Sequence, residues 1–380
     1  MASVAGASGL RLQEGGTWTC SASAVILATG GTAFLSRLLG ANNNTADGHL
    51  MAAEAGARFS GMEFSCYYTV AAANSTMTRS FPFMYGTYRD CDGSELVFQS
   101  FKTGLPKTAE ALIRGPVTVV LDRMPRQTRE RLPHVQPNFL LPLLRTGIDP
   151  FKDPFPVTLR GEGTIRGTGG ITLADRDCRT GVEGLFAAGD VASRQPIVGA
   201  ASGGGQPNSA WCVASGTWSG RTAARRAAEN PAARRRPVGV PVGRIIGRGR
   251  LADADIEEVR RTVSRELNDL DKNMFRTGEG LLRSLTLLDD LWTQVTAQGA
   301  DGKDADRAAL RARETVALVA AGRWVLNSAI VRQESRGMHQ RVDAPDRDHR
   351  FRATVSTWGL DSVLTEVEPA QRRAAEPVAS

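Results

Sequence analysis

The chain has 380 residues, of which 41% are hydrophobic and 23% charged, ordinary globular proportions that exclude a fibrous or wholly disordered protein. Its length accommodates two or three domains at roughly 100–200 residues each. Forty-seven basic residues against 40 acidic ones leave a net charge of +7, and only five of the basic residues are lysine, so arginine carries the excess.

Met1 to Gly6 has no basic stretch leading into an apolar block, so no secretory signal is expected. No run reaches the roughly 18 uninterrupted apolar residues of a membrane span, and no direct membrane insertion is expected. Trp18-Thr19-Cys20 reads as a short strand. Ala24-Val25-Ile26-Leu27-Ala28 is a continuous apolar run, the pattern of a strand buried on both faces of a parallel sheet. It ends in Thr29-Gly30-Gly31, where two glycines let the backbone turn and approach a ligand closely.

Asn42 to Gly48 is a cluster of turn and capping residues leading into an Ala-rich helix that stops at Gly56. Asp47 or Thr45 can cap that helix, or its free N–H groups can face a ribose-phosphate. From Arg58 to about Pro156 aromatic residues, Pro and Gly are dense, and Val117 to Asp122 is one clear strand, which reads as an inserted α+β domain. Leu185-Phe186-Ala187-Ala188-Gly189-Asp190 is then a short apolar strand ending in a carboxylate, at the edge where open α/β sheets bind ligands. A glycine-rich loop from Gly199 to Ser209 precedes a helix expected over Ala210–Ala228.

Much of the basic excess sits between Arg221 and Arg250 among Ala, Pro and Gly. Nucleic-acid binding calls for stacking or readout groups between the charges, so this block reads as a solvated linker rather than a polyanion-binding arm. Ile256, Val259, Val263, Leu267, Leu270 and Met274 fall on one face of an amphipathic helix. Leu281–Trp292 and Ala309–Ile330 read as two more helices, together a small bundle. Beyond about Arg352 a polar, Ala/Pro-rich tail ending in disorder is expected. The cysteines, Cys20, Cys66, Cys91, Cys178 and Cys212, form no C-x-x-C pair and have no His at ligand spacing. That usage fits a reducing compartment, with the cytoplasm as the expected location and no metal site.

Six stretches in order resemble the FAD-dependent flavoprotein superfamily of succinate dehydrogenase and fumarate reductase, which includes L-aspartate oxidase and adenylylsulfate reductase. They are Ala24 to Gly31, Thr45-Ala-Asp-Gly48, Gly61-Met-Glu-Phe64, Gly169-Gly-Ile171, Gly184 to Asp190 with the loop ending Asn208-Ser209, and Arg332 to Asp343 with Pro345. The resemblance implies an α/β fold in which a Rossmann-like FAD-binding domain is interrupted by an α+β capping domain and followed by a C-terminal helical bundle domain. The expected boundaries are 1–57 and 157–230 for the FAD-binding parts, 58–156 for the cap, 231–250 for the basic linker, 251–350 for the helical domain and 351–380 for the tail.

By the same resemblance FAD is the cofactor, contacted by Ala28, Thr29, Gly30, Gly31, Thr45, Asp47, Gly48, Gly170, Gly189, Asp190, Asn208 and Ser209. Asp190 matches the acidic residue that holds the cofactor's hydroxyls. The family's opening strand and G-x-G-x-x-G loop have no counterpart before Val25, because Ala5 to Gly9 is glycine-rich without a strand before it or a helix-forming segment after it. The chain is therefore expected to lack the ADP-binding segment, through an incomplete gene, a late start or a split protein.

The substrate set departs from the family as well. Tyr68 stands at about the position of one family His, Ile165 at that of a second, and Ser202 near that of the substrate Arg. Lys107 and Arg114 are candidates for the proton-delivering cap Arg, and Tyr68 for a phenolic donor. His339 is expected to anchor the helical domain to the flavin domain, His134 and His349 to lie at the surface, and His49 to begin its helix close to the cofactor loop. The implied function is hydride transfer between flavin N5 and a small organic substrate that is not a simple C4 dicarboxylate. Alternatives are a divergent fumarate reductase, succinate dehydrogenase or L-aspartate oxidase, and a truncated non-catalytic fragment. The expected partners are a small-molecule substrate and no nucleic acid; a homo-oligomer, or a partner that supplies the ADP-binding segment or accepts electrons, stays open.

Overall fold

The computed structural model describes residues 3–78, 80–99, 101–201, 205–229, 253–297 and 307–369. The basic linker expected at 231–250, most of the family Arg position around Ser202, and the end of the tail lie outside them.

An antiparallel hairpin of β1 (Gly6–Leu10) and β2 (Thr17–Ser21) precedes β3 (Val25–Leu27) and α1 (Asp47–Glu54). After β4 (Phe59–Ser60) the cap begins with β5 (Tyr68–Ala72) and β6 (Thr87–Arg89), and continues through α2 (Phe101–Arg114), β7 (Val117–Val120), α3 (Arg126–Val135), α4 (Pro137–Leu144) and β8 (Phe155–Gly161). The chain returns through α5 (Gly163–Arg166), β9 (Gly170–Ile171), β10 (Leu185–Ala187), α6 (Gln195–Val198) and α7 (Gly205–Glu229). The last third holds α8 (Asp253–Asn268), α9 (Gly278–Ala297) and α10 (Arg307–Val331), then β11 (Ala353–Trp358) and β12 (Leu364–Pro369).

Strands β3 and β10 pair in parallel, with Val25, Ile26 and Leu27 opposite Leu185, Phe186 and Ala187. Helix α7 packs on both strands. Leu27 and all of β10 are buried, but Ile26 is 37% exposed and Val25 only half-buried. The expectation of a strand buried on both faces is thus met by β10, whereas in β3 Ile26 stays exposed.

The cap is a four-stranded antiparallel sheet in the order β5-β8-β7-β6 with its own core, including Phe83, Tyr88, Val119, Phe139 and Phe155. Two expected boundaries shift. Strand β8 runs through residue 156 into the segment assigned to the FAD-binding part, since all of Tyr68–Ala72 pairs against it. At the other end β4, Phe59–Ser60, leaves the cap and pairs with β9 and β11.

Residues 353–369, expected as a polar tail, form the β11–β12 pair on that sheet. Pairing on both sides explains it: β11 lies between β4 and β12, which buries Val355, Ser356 and Thr357, while β12 at the edge stays largely exposed.

The helical region packs α10 against α9 and α8, and α10 is buried continuously from Thr315 to Leu326. It is long and apolar enough to cross a membrane by composition, with 78% of its most apolar window buried inside the chain, as for a core helix. The amphipathic face expected to reach Met274 breaks after Asn268, where Asp269 turns extended and a π turn, Leu270–Met274, follows. Ile256, Val259, Val263 and Leu267 therefore join the bundle core, whereas Leu270, Met274 and Phe275 pack against the cap.

Candidate functional site

The parallel register of β3 and β10 brings two loops out at one carboxyl edge. The pairing extends one step past the strands, since Ala188 N donates to Leu27 O at 2.9 Å. Ala28-Thr29-Gly30-Gly31 and Gly189-Asp190 therefore leave the sheet side by side, the position at which open α/β sheets form ligand crevices. Gly189 has a φ of 70°, a left-handed turn that suits glycine. Helix α7 holds it from both sides: Gly189 N donates to Ser215 Oγ at 3.0 Å, and Trp211 Nε1 donates to Gly189 O at 2.9 Å.

The start of α1 closes on the same loop. A Cβ at Gly48 would lie 1.9 Å from Thr29 Oγ1, so only glycine allows this approach. Buried Thr45 donates its hydroxyl to the Asp47 carboxylate, which fixes the turn into the helix. Thr32, just past Gly31, exchanges hydrogen bonds with Thr164: its N–H donates to Thr164 Oγ1 and its carbonyl accepts from Thr164 N, both at 2.9 Å. Gly170, on β9, packs against the Val191 carbonyl next to Asp190. Asn208 is buried in the first turns of α7 with Oδ1 unpartnered, and Ser209 beside it is exposed. Thr29–Gly31, Thr45–Gly48, Gly170 and Gly189–Asp190 thus lie around one edge.

His49, expected only to begin its helix, is 1% exposed, and neither ring nitrogen has a partner. Its ring lies 5.9 Å from that of Phe59, which stacks on Trp324 at 4.3 Å. Burial holds its pKa down at about 4, so the ring is neutral at ordinary pH.

A second polar layer borders this edge, and sequence reasoning missed it. Arg194 Nη1 donates to Asp190 Oδ1 at 2.6 Å and Nη2 to Ile165 O at 2.6 Å, while Arg194 N donates to Thr168 O at 2.9 Å. Arg166 Nε lies 3.5 Å from Glu162 Oε2. Both pairs are an acid followed four residues later by an arginine, a spacing visible in the sequence. What the sequence does not show is that the arginines are buried, to 8% exposure for Arg166 and 1% for Arg194.

The three catalytic candidates are not brought together. Tyr68 is buried; its hydroxyl donates to Asn268 O at 2.8 Å and accepts from Asn273 Nδ2 at 3.1 Å. Burial pushes its phenol well above the usual range, so it is a structural tether between cap and helical region rather than an open proton donor. Lys107 is exposed on α2 and donates to Val97 O at 3.0 Å. Arg114, also exposed, lies 4.0 Å from Asp90 at the far end of the same helix. Both contacts stay inside the cap.

The C-terminal motif instead builds a buried polar chain. Arg332 Nε donates to Glu63 Oε1 at 2.8 Å with both side chains at 0% exposure, and Nη1 donates to Glu334 Oε1 at 2.9 Å. Arg276 Nη1 donates to Glu63 O at 2.8 Å and lies 2.8 Å from His339 Nδ1, whose other nitrogen sits 2.9 Å from Arg332 O. An arginine only donates, so Nδ1 accepts and Nε2–H donates to the carbonyl, the neutral tautomer. Burial, and then the Arg276 charge, hold the His339 pKa well below its ordinary value. Arg276 also donates to Asn273 Oδ1 at 2.6 Å, which completes the path to Tyr68.

The profile of the fumarate reductase flavoprotein C-terminal family matches residues 264–377, the stretch that contains Arg276, Arg332, Glu334 and His339. L-aspartate oxidase of Mycobacterium leprae (strain TN) is 29% identical over 379 aligned residues, covering 94% of this chain and 65% of that protein. Escherichia coli quinol fumarate reductase FrdA superposes with a TM-score of 0.76 at 22% identity, covering 96% of this chain and 68% of that one. The chain has the fold of the fumarate reductase flavoproteins and matches their C-terminal family over residues 264–377.

Another solved structure, Mycobacterium smegmatis Sdh1 in complex with UQ1, gives a TM-score of 0.78 at 22% identity, with 97% of this chain and 66% of that one covered. At such identities the structural likeness speaks for the fold alone. The chain spans about 65% of the length of its curated L-aspartate oxidase relative. Among the described residues no group of His, Cys, Asp and Glu is placed to hold a metal ion.

Proposed function

We propose that the chain binds FAD and serves as the flavin- and substrate-bearing part of an oxidoreductase acting on a small organic molecule. The observation that carries this reading is the convergence of Thr29–Gly31, Thr45–Gly48 and Gly189–Asp190 at one carboxyl edge, in a chain with the fold of the fumarate reductase flavoproteins. The site fits the group on its own features. Gly48 leaves room beside Thr29 that any side chain would fill, and Asn208 carries a buried Oδ1 without a protein partner. Thr29, Gly30, Gly31, Asp47 and Gly48 would hold the cofactor from one side, with Gly189, Asp190 and Asn208 on the other.

When bound, the flavin supplies two-electron redox chemistry that no side chain can. The protein's part is position and electrostatics. A carboxylate at Asp190 accepts hydrogen bonds from hydroxyls, and the Arg194 contact orients it. The substrate is proposed not to be a simple C4 dicarboxylate. Support comes from Tyr68, whose hydroxyl is engaged by Asn268 and Asn273, and from Ile165, whose side chain neither carries charge nor moves protons. A homo-oligomer, or a partner that completes the dinucleotide site or accepts electrons, belongs to the same proposal, as does a cytoplasmic location.

The test is an absorbance spectrum of the purified chain before and after excess FAD. Stoichiometric flavin bands after gel filtration support the reading. A colourless protein that takes up no FAD, alone or as an oligomer, overturns it for this chain.

A further inference from the structure

We propose that Asn268 is a positioning residue that couples the cofactor loop to the cap, by holding the backbone just past Gly31 against both strands through which the cap is attached. This rests on the FAD reading above and adds a regulation of that same site: cofactor occupancy and cap attachment are linked through one side chain.

The segment that follows the cofactor loop is strained. Phe34, Leu35 and Arg37 have φ values of 49°, 60° and 63°, a left-handed backbone that residues other than glycine seldom adopt. Such a conformation persists only where its surroundings enforce it, and it concentrates at clamps and switches. Here the helical region and the cap enforce it. Asn268, the last residue of α8, donates its Nδ2 to Phe34 O at 2.8 Å and to Ala33 O at 3.4 Å. From the cap strand β8, Gly161 O accepts from Ser36 Oγ at 2.5 Å, and Arg160 Nη1 donates to Ser36 O at 3.2 Å.

Asn268 stands where these regions meet. Its backbone carbonyl takes the Tyr68 hydroxyl at 2.8 Å, at the start of β5. Tyr68 pairs with Gly161 in the cap sheet, and a Cβ at Gly161 would lie 2.3 Å from Asn268 Oδ1, so the amide packs directly on the end of β8. Strand β5 opens the cap and β8 closes it; one residue touches both. The group that faces the Ala33 and Phe34 carbonyls is the NH2, since carbonyls need a donor, and Oδ1 is left buried without a partner. That unmet oxygen is unfavourable, so what the amide contributes here comes from the strained backbone its NH2 holds. Strain also makes the link responsive. A relaxed loop survives the loss of one bond, whereas a left-handed segment falls back to ordinary φ when its restraint goes, and Gly31 moves with it.

The test is hydrogen exchange of the 380-residue chain with and without FAD, together with FAD affinity read by flavin fluorescence quenching. In the wild type, FAD is expected to slow exchange by about threefold or more in both Tyr68–Ala72 and Phe155–Gly161. Asn268→Ala keeps the backbone carbonyl that Tyr68 uses. It is expected to weaken FAD by about three- to tenfold and to abolish that protection, while α9 and α10 exchange as in wild type, which a general loss of stability would not allow. Ser36→Ala, which removes the bond to Gly161, is expected to abolish the protection of Phe155–Gly161, and it decides the matter if Asn268→Ala does not fold. FAD binding without protection of these strands, or variants that keep the protection, overturn the proposal and leave the flavin reading standing. If the wild type takes up no FAD, the flavin reading falls and the FAD-free chain decides the coupling. Asn268→Ala must then speed exchange by about threefold or more in both residues 32–38 and Phe155–Gly161, and unchanged exchange in either overturns it.

Discussion

The Tyr68 phenol and the Asn268 carbonyl, two hundred residues apart in the chain, meet in a 2.8 Å hydrogen bond that ties the first cap strand to the end of α8. The phenol also accepts from Asn273, in the π turn. Tyr68→Phe removes both bonds and leaves the Asn268 carbonyl and the Asn273 amide buried without this partner. We predict a stability loss of about 1–3 kcal/mol, read as a lower urea midpoint. If turnover falls a hundredfold while the midpoint stays put, Tyr68 is a proton donor after all.

The buried His49 ring sets an acid limit. Its folded pKa of about 4 lies below the unfolded value of 6.5. Above pH 6.5 the ring is neutral in both states. Below it the unfolded chain binds the proton first, so stability is lost as pH falls from 6.5 toward 4, by roughly 3 kcal/mol in all. His339, also depressed, acts in the same direction. His49→Leu removes two unpartnered nitrogens and one titration. The variant should be more stable than wild type at pH 5 by more than at pH 7, and equal gains at both pH values contradict the account.

Glu63 and Arg332 form an ion pair with no exposure on either side. Removing one member leaves an uncompensated buried charge, so Arg332→Met is expected to cost about 3–5 kcal/mol. Glu63→Gln in the same chain should recover part of that loss. A double-mutant cycle measures it, and additive effects would show that the pair is not coupled.

Gly48→Ala places a methyl 1.9 Å from Thr29 Oγ1, so the Thr29–Gly31 loop must move. FAD uptake, followed by flavin fluorescence quenching, is predicted to weaken at least tenfold. Gly181→Ala, at a site where nothing lies within 4 Å of the added carbon, is the control and should bind as wild type.

Local pattern made much of this protein legible. Apolar runs ending in glycine located β3 and β10, and helical spacing located α8, α9 and α10, because those signals arise within a few neighbouring residues. The order of the motifs pointed to the superfamily for the same reason. Other features depend on what lies across the fold. Asp269 ends α8 and sends Leu270 and Met274 into the cap core, a choice made by the cap's apolar surface and not by helical periodicity. Tyr68 looked like a substrate group until Asn268 and Asn273 closed on it. Arg166 and Arg194 read as ordinary i,i+4 charges, and only the fold shows that both are buried. Sequence by itself determined the apolar strands β3 and β10, the three C-terminal helices and the glycine turns; tertiary structure decided that residues 353–369 are strands, where α8 ends and which polar groups are left without partners, because pairing and desolvation depend on every element packed around a group.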